Sequence, residues 1–227
     1  VLYLPFDGSA VDRSGNDHAC SLKAGYVEFG AGDPPSLTHG RYGNANGAYA
    51  FENGGNIEIE YDEKLSPEEI TISFWVKKDM SSKLKDVIMA LNRNNGYMVQ
   101  TISSNKIFAT YHCINNGNSV YRDGYSGDAV LPADTWTHVA VSYSDGDMRF
   151  YMDGALVHSL VDYGVMQSDA INLTIGCDLP VDMYTETPGA YYYGYGGFFN
   201  GSIDDVRIYD MQLSDSDVAA IYAMERP

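Results

Sequence analysis

Positive charge is what this chain has least of: 14 Lys and Arg stand against 31 Asp and Glu, a formal net charge of −17 over 227 residues. A surface of that sign repels phosphate backbones and anionic lipid headgroups, so nucleic acid and membrane surfaces are poor partners for it. Cysteine is scarce as well. Cys20, Cys113 and Cys177 are odd in number and far apart, without the spacing of zinc or redox motifs. Three isolated buried thiols are expected, with a single disulfide as the alternative. No apolar run approaches the roughly 20 residues of a membrane-spanning helix, and no charged-then-apolar leader opens the chain. It starts at Val1 without a methionine, as expected of a mature or trimmed fragment. No nucleophile elbow, phosphate loop, HExxH pair or EF-hand pattern occurs. No Pro, Ser or Gly-rich linker divides the sequence, so residues 1–227 are expected to form one domain.

What is present points to strands. Hydrophobic residues make up 44% of the chain, enough for a sizeable core. Short runs of aromatic and β-branched residues recur between Gly, Asn and Asp clusters, the pattern of an all-β sandwich. The clearest are Val1 to Phe6, Ala48 to Phe51, Asn56 to Tyr61, Glu69 to Lys77, Asp86 to Leu91 and Tyr97 to Ile102. They continue with Lys106 to Ile114, Trp136 to Tyr143, Met148 to Met152, Ala155 to Val161, Asn172 to Ile175 and Ser202 to Tyr209. In the fourth run, alternation puts Ile70, Ile72, Phe74 and Val76 on one face, and Thr71, Ser73 and Trp75 on the other. Asp145-Gly146 and Asp153-Gly154 tolerate positive φ and predict two tight hairpin turns joining three of these strands in a meander. One segment reads as a helix, Leu213 to Met224, with Ser214 as N-cap, Asp217 three residues on, and Leu213, Val218, Ile221 and Tyr222 on one face. Such a short terminal helix is expected to dock on the sandwich.

A series of local motifs runs through the chain in a definite order. It opens with Leu4-Pro-Phe-Asp7-Gly8 and Asp12-Arg-Ser-Gly15-Asn16, followed by Gly40-Arg-Tyr-Gly43 and Thr71-Ile-Ser-Phe-Trp75-Val. Then come Trp136-Thr-His138-Val-Ala, Arg149-Phe-Tyr-Met-Asp153-Gly154 and Gly201-Ser-Ile-Asp204-Asp205-Val-Arg207-Ile-Tyr209. The order resembles that of the laminin-G-like domains of the concanavalin A-like lectin and glucanase superfamily, over nearly the whole chain. The resemblance implies a two-sheet antiparallel jelly-roll sandwich with a short C-terminal helix. It also implies a non-catalytic binding module, for carbohydrate first, of a secreted or surface-anchored bacterial protein, periplasmic in one variant. Its partner would be a glycan or a surface protein, and the chain would be a monomer within a larger polypeptide or assembly. Such folds also carry glycosidases and adhesion modules without sugar specificity, so these stay open as alternatives.

Candidate residues follow from both readings. In similar jelly rolls, positions matching Asp7 and Asp204 come together around a structural calcium, with Asp12 and Asn16 within its reach. The bland alternative is that Asp7-Gly8 is a plain turn and Asp204 a pair for Arg207. Between residues 184 and 199, Tyr184, Tyr191, Tyr192, Tyr193 and Tyr195 are interleaved with glycine, which suits a loop presenting rings to a ligand or folding back as a flap. A second polar and aromatic surface is expected around Tyr97, Tyr111 and Tyr121, with Gln100 and His112. Trp75, Trp136 and His138 are expected to be structural. For catalysis, Glu58, Glu60 and Asp62 would line one face of a strand over Asn56 to Tyr61, which resembles the glucanase carboxylate row of the superfamily. The central residue is Glu60 rather than Asp, the third carboxylate is displaced, and the segment comes early. A solvated acidic face is therefore expected ahead of a β-glycan hydrolase.

Overall fold

Strand-forming sequence dominates the computed structural model, which describes residues 1–27, 30–79, 86–92, 95–186 and 197–227. The first strands are β1 (Leu2–Leu4), β2 (Cys20–Ala24), β3 (Tyr26–Val27), β4 (Gly30–Ala31), β5 (Ser36–Thr38), β6 (Ala48–Phe51) and β7 (Gly55–Ile59). Next come β8 (Ile70–Lys78), β9 (Asp86–Leu91), β10 (Tyr97–Thr101), β11 (Ile107–Asn115), β12 (Asn118–Tyr125) and β13 (Thr137–Ser144). The last are β14 (Asp147–Met152), β15 (Ala155–Val161), β16 (Val165–Met166), β17 (Leu173–Ile175), β18 (Gly197–Phe198) and β19 (Gly201–Tyr209). A short helix α1 (Val181–Glu186) follows β17, and α2 (Asp215–Glu225) follows β19.

Two large sheets form the sandwich. The first has the order β15-β14-β13-β8-β19-β6-β5, with β1 also paired to β19, and the second has β12-β11-β10-β9-β17-β7-β2, with β16 on β11 and β18 on β9. Pairing in both is antiparallel except for the short β18–β9 contact. The alternation read in β8 places Ile70, Ile72, Phe74 and Val76 in the core between the sheets, together with Val139, Val141, Ile203 and Ile208 from the flanking strands. Each large side chain there removes enough apolar surface from water to contribute roughly 1.5–3 kcal/mol. The meander β13-β14-β15 turns at Asp145 (φ 41°) and Gly146 (φ 90°), then at Asp153 (φ 48°) and Gly154 (φ 76°), so both central residues of each turn have the positive φ that tight hairpins need. The three cysteines are free thiols.

The helix α2 lies on the outer face of the first sheet. Both halves of its capping box form between Ser214 and Asp217. Val218 and Ile221 pack with Leu213, Ala140 and Tyr151. Trp75 is buried as expected, but under this helix rather than between the sheets: its Nε1 donates to Glu225 Oε2 at 3.0 Å and its ring stacks on Tyr222 at 5.7 Å. His138 lies beside it, with Nε2 2.9 Å from Ser73 Oγ. Trp136 is only half-buried and carries Lys77 Nζ 5.5 Å from its ring centre.

A buried ionic cluster ties the same helix to the sheet. Arg41 Nη1 lies 2.6 Å from Asp204 Oδ2 and its Nη2 2.5 Å from Asp205 Oδ2, while Arg207 Nη2 meets Glu225 Oε1 at 2.5 Å. The cluster therefore holds three carboxylates against two guanidinium groups. Burial pushes Asp204 up to about 7, more than Arg41 pulls it down, and its Oδ1 has no hydrogen-bond partner.

Candidate functional site

The surface that the sequence assigned to Tyr97, Tyr111 and Tyr121 is divided between two faces of one sheet. Tyr97 of β10 and Tyr111 of β11 are directly opposite each other and both point inward, fully buried. Tyr97 Oη donates to the Leu65 carbonyl at 2.8 Å, and Tyr111 stacks on Tyr143 at 4.7 Å. Placing these two on a ligand surface was an error of parity: strand alternation gives the outward positions to their neighbours Met98, Gln100, Phe108, Thr110 and His112. Tyr121 is on the outer face and 52% exposed.

Tyr121 does not stand alone there. Along β12 the exposed positions include Tyr121, Asp123 and Tyr125, which face His112, Thr110 and Phe108 of β11 in register. Tyr121 lies against the His112 ring at 5.5 Å, and Tyr125, 47% exposed, against Phe108 at 5.1 Å. His112 Nε2 is in turn 2.6 Å from Ser119 Oγ. At about 3.3 Å per residue the two tyrosines are roughly 13 Å apart, with the Asp123 carboxylate between them. The inward side of β12 is equally specific. A Cβ on Gly124 would come within 2.6–2.9 Å of Met148, Leu160 and Phe150 of the opposite sheet, so a larger residue there would have to push these side chains aside. The outcome is an edge strand that carries two half-exposed aromatic rings with a carboxylate between them on its outer side, a combination suited to binding amphipathic ligands. Tyr125, Asp123 and Phe108 were not singled out from sequence; the alternation of Tyr121, Asp123 and Tyr125 was the signal available.

The other candidates lie apart from this surface. Tyr184 lies in α1, and Tyr191, Tyr192, Tyr193 and Tyr195 fall outside the described residues. Glu58 is buried on the outer face of β7, where Oε1 accepts the Val181 N–H at 2.7 Å. Glu60 lies beyond the end of β7, and Asp62 caps a 3-10 turn by accepting the Lys64 N–H at 2.9 Å. The strand expected over Asn56 to Tyr61 thus ends at Ile59, and the row of three carboxylates is broken because Asp62 starts a new turn. Asp7 is exposed, in a turn where Gly8 N–H donates to the Asn46 carbonyl at 2.8 Å. Asp12 accepts from the backbone N–H groups of Tyr3, Ser14 and His18, and Asn16 takes Lys64 Nζ at 2.8 Å. Those bonds occupy Asp12 within its own loop, and Asp204 pairs with Arg41 rather than Arg207. Among the described residues no group of three or more His, Cys, Asp and Glu could hold a metal ion.

A family model described as the concanavalin A-like lectin/glucanases superfamily matches residues 51–219. No curated protein matches the chain by sequence. Among solved structures, the chain is similar to domain 4 of AbnA, a GH43 extracellular arabinanase from Geobacillus stearothermophilus, in complex with arabinotriose (TM-score 0.71, 18% identity, 97% of each chain covered). It is also similar to the receptor binding domain of botulinum neurotoxin mosaic serotype C/D (TM-score 0.69, 19% identity), covering 99% of this chain and 50% of that one. A third likeness is to botulinum neurotoxin type C, whose cell entry depends on two ganglioside molecules (TM-score 0.66, 19% identity, 99% and 50% covered). The chain spans about half the length of the toxin domains.

Proposed function

Since the chain belongs to the concanavalin A-like lectin/glucanase superfamily, we propose that it is a non-catalytic carbohydrate-binding module, used outside the cell, with the outer face of β11 and β12 as its ligand surface. The observation that carries this reading is the pair of half-exposed tyrosines, Tyr121 and Tyr125, on one strand on either side of Asp123. Sugar rings present a C–H face that stacks on aromatic rings and hydroxyls that bond to carboxylates. The similar arabinanase domain was captured with arabinotriose, and cell entry of botulinum neurotoxin type C depends on two ganglioside molecules, which supports the same class of partner. No helix among the described residues is long and apolar enough to cross a membrane.

Absence of catalysis belongs to the same proposal. Glu58 is engaged with the α1 backbone and Asp62 with a turn, so neither is poised as one half of an acid and nucleophile pair. Tyr191, Tyr192, Tyr193 and Tyr195 stay in the proposal on their chemistry alone, as an additional contact segment. A glycan array followed by calorimetry tests the reading. Tyr121→Ala should weaken the best ligand about tenfold, or about 1.4 kcal/mol, with the melting temperature unchanged. Reducing-sugar release from soluble β-glucans should be nil. Binding that survives Tyr121→Ala, or turnover that is lost on Glu58→Gln, would overturn it.

A structural calcium is a separate proposal. It rests on the surplus carboxylate of the Arg41 cluster and on Asp204 Oδ1, a buried oxygen without a hydrogen-bond partner. Asp204 would hold the ion, with Asp7 as the second acidic ligand.

A further inference from the structure

Where β12 ends, the margins of the two sheets part to form an open cleft of about 980 Å³, and Tyr125 belongs to its wall. Ile102 and Val157 contribute apolar lining, and Lys106, Asp128 and His158 polar lining. Lys106 Nζ lies 3.6 Å from Asp128 Oδ1. The wall beyond Tyr125 is a tight turn, in which Ser126 Oγ donates to the Ala129 carbonyl at 2.7 Å and Ala129 N–H to the Ser126 carbonyl at 3.0 Å. Gly127 there has φ 59°, and a Cβ on it would sit 3.3 Å from His158. The turn and the edge strand β15 therefore meet beyond the end of β12.

We propose that this cleft receives the terminal unit of a neutral glycan whose next units lie along Tyr125 and Tyr121. The inference rests on the carbohydrate reading and deepens it, by naming the end of the chain and its charge class. Charge decides the class. Lys106 and Asp128 offset each other locally, so an anionic sugar would meet Asp128 and the −17 of the whole chain, and a cationic one would meet Lys106. An uncharged polyol can use both: the ammonium donates to its hydroxyl oxygens and the carboxylate accepts their protons. The apolar lining suits the C–H face of the same ring, and the volume falls at the upper end of the small-ligand range, roughly 300–1,000 Å³. Chain-end binding follows from where the strand stops: β12 gives way to the Ser126–Ala129 turn after Tyr125, so a saccharide laid along Tyr121 and Tyr125 reaches the cleft with its last unit.

The test uses an array carrying neutral pentose and hexose oligosaccharides and their uronate-ended counterparts, then titration of the strongest neutral ligand with variants. Neutral glycans should be preferred, and Lys106→Met and Asp128→Asn should each lower affinity about tenfold, as should Tyr121→Ala. Blocking the non-reducing and the reducing end in turn should abolish binding for one of the two. Loss of affinity in Tyr121→Ala with Lys106→Met and Asp128→Asn unchanged would overturn the cleft while leaving the β12 surface standing. Preference for uronate ends, or equal binding of both end-blocked forms, would also overturn it. If no glycan binds at all, the surface and the cleft both fall. Lys106 and Asp128 are at the surface, so these variants are expected to fold normally.

Discussion

His138 sits beneath α2 with Trp75 and Tyr222 rings 5.4 Å and 5.9 Å away, and its imidazole has been taken out of water. Burial first, then the positive charges of Arg41 and Arg207, pull its pKa down from the usual 6.5 to about 4. The unfolded chain therefore binds a proton that the folded chain refuses between those values. The stability from this residue is fully present above about pH 6.5 and is lost as the pH falls toward 4, by a total on the order of 3 kcal/mol. Denaturant unfolding of the native chain and of His138→Gln at pH 7 and pH 4.5 isolates the effect, because Asp204 and Glu225 titrate in both proteins. The native chain should lose more stability on acidification than the variant; equal losses would mean that His138 does not carry the dependence. At this scale sequence reading recovered burial better than surroundings. Trp75 reads as core because its neighbours are apolar, yet its parity with Thr71 and Ser73 already placed it on the outward face where a helix covers it.

Elements were legible where their own residues dictate them. Aspartate-glycine turns fixed the β13-β14-β15 meander, and Ser214 with Asp217 fixed the start of α2, because both depend on local backbone needs. The box is also simple to test: Ser214→Ala removes the acceptor for the Asp217 N–H and should cost about 1 kcal/mol in equilibrium unfolding. No loss would mean that packing of Val218 and Ile221 alone holds the helix. Strands set by tertiary pairing were harder to see. β12 reads Asn-Ser-Val-Tyr-Arg-Asp-Gly-Tyr, polar and glycine-containing, because it is an edge strand with one face in solvent, and its identity comes from pairing with β11. The candidate site stands largely on that strand, so of its residues only Tyr121 and the facing His112 were found. α1 is six residues long, too short for periodicity to declare it, and its Val181 N–H is satisfied by a distant Glu58.

For the molecule as a whole, the net charge of −17 makes each unneutralised buried carboxylate a liability, and the Arg41 cluster is where one is left over. Calcium added to chelator-treated protein should therefore raise the melting temperature, by the mass-action stabilisation of any ligand that prefers the native state. Asp204→Ala should abolish the rise, and a transition that neither calcium nor chelator moves would remove the ion from the account. β19 lies in the interior of the first sheet, bonded to β8 on one side and to β6 and β1 on the other. During synthesis, residues 1–200 emerge while that slot is empty, leaving β8 and β6 as unpaired apolar edges for the many seconds that a ribosome working at about 5–20 residues per second requires. The sandwich can close only when its last strand arrives, so the nascent chain is most vulnerable to strand-to-strand aggregation late in translation.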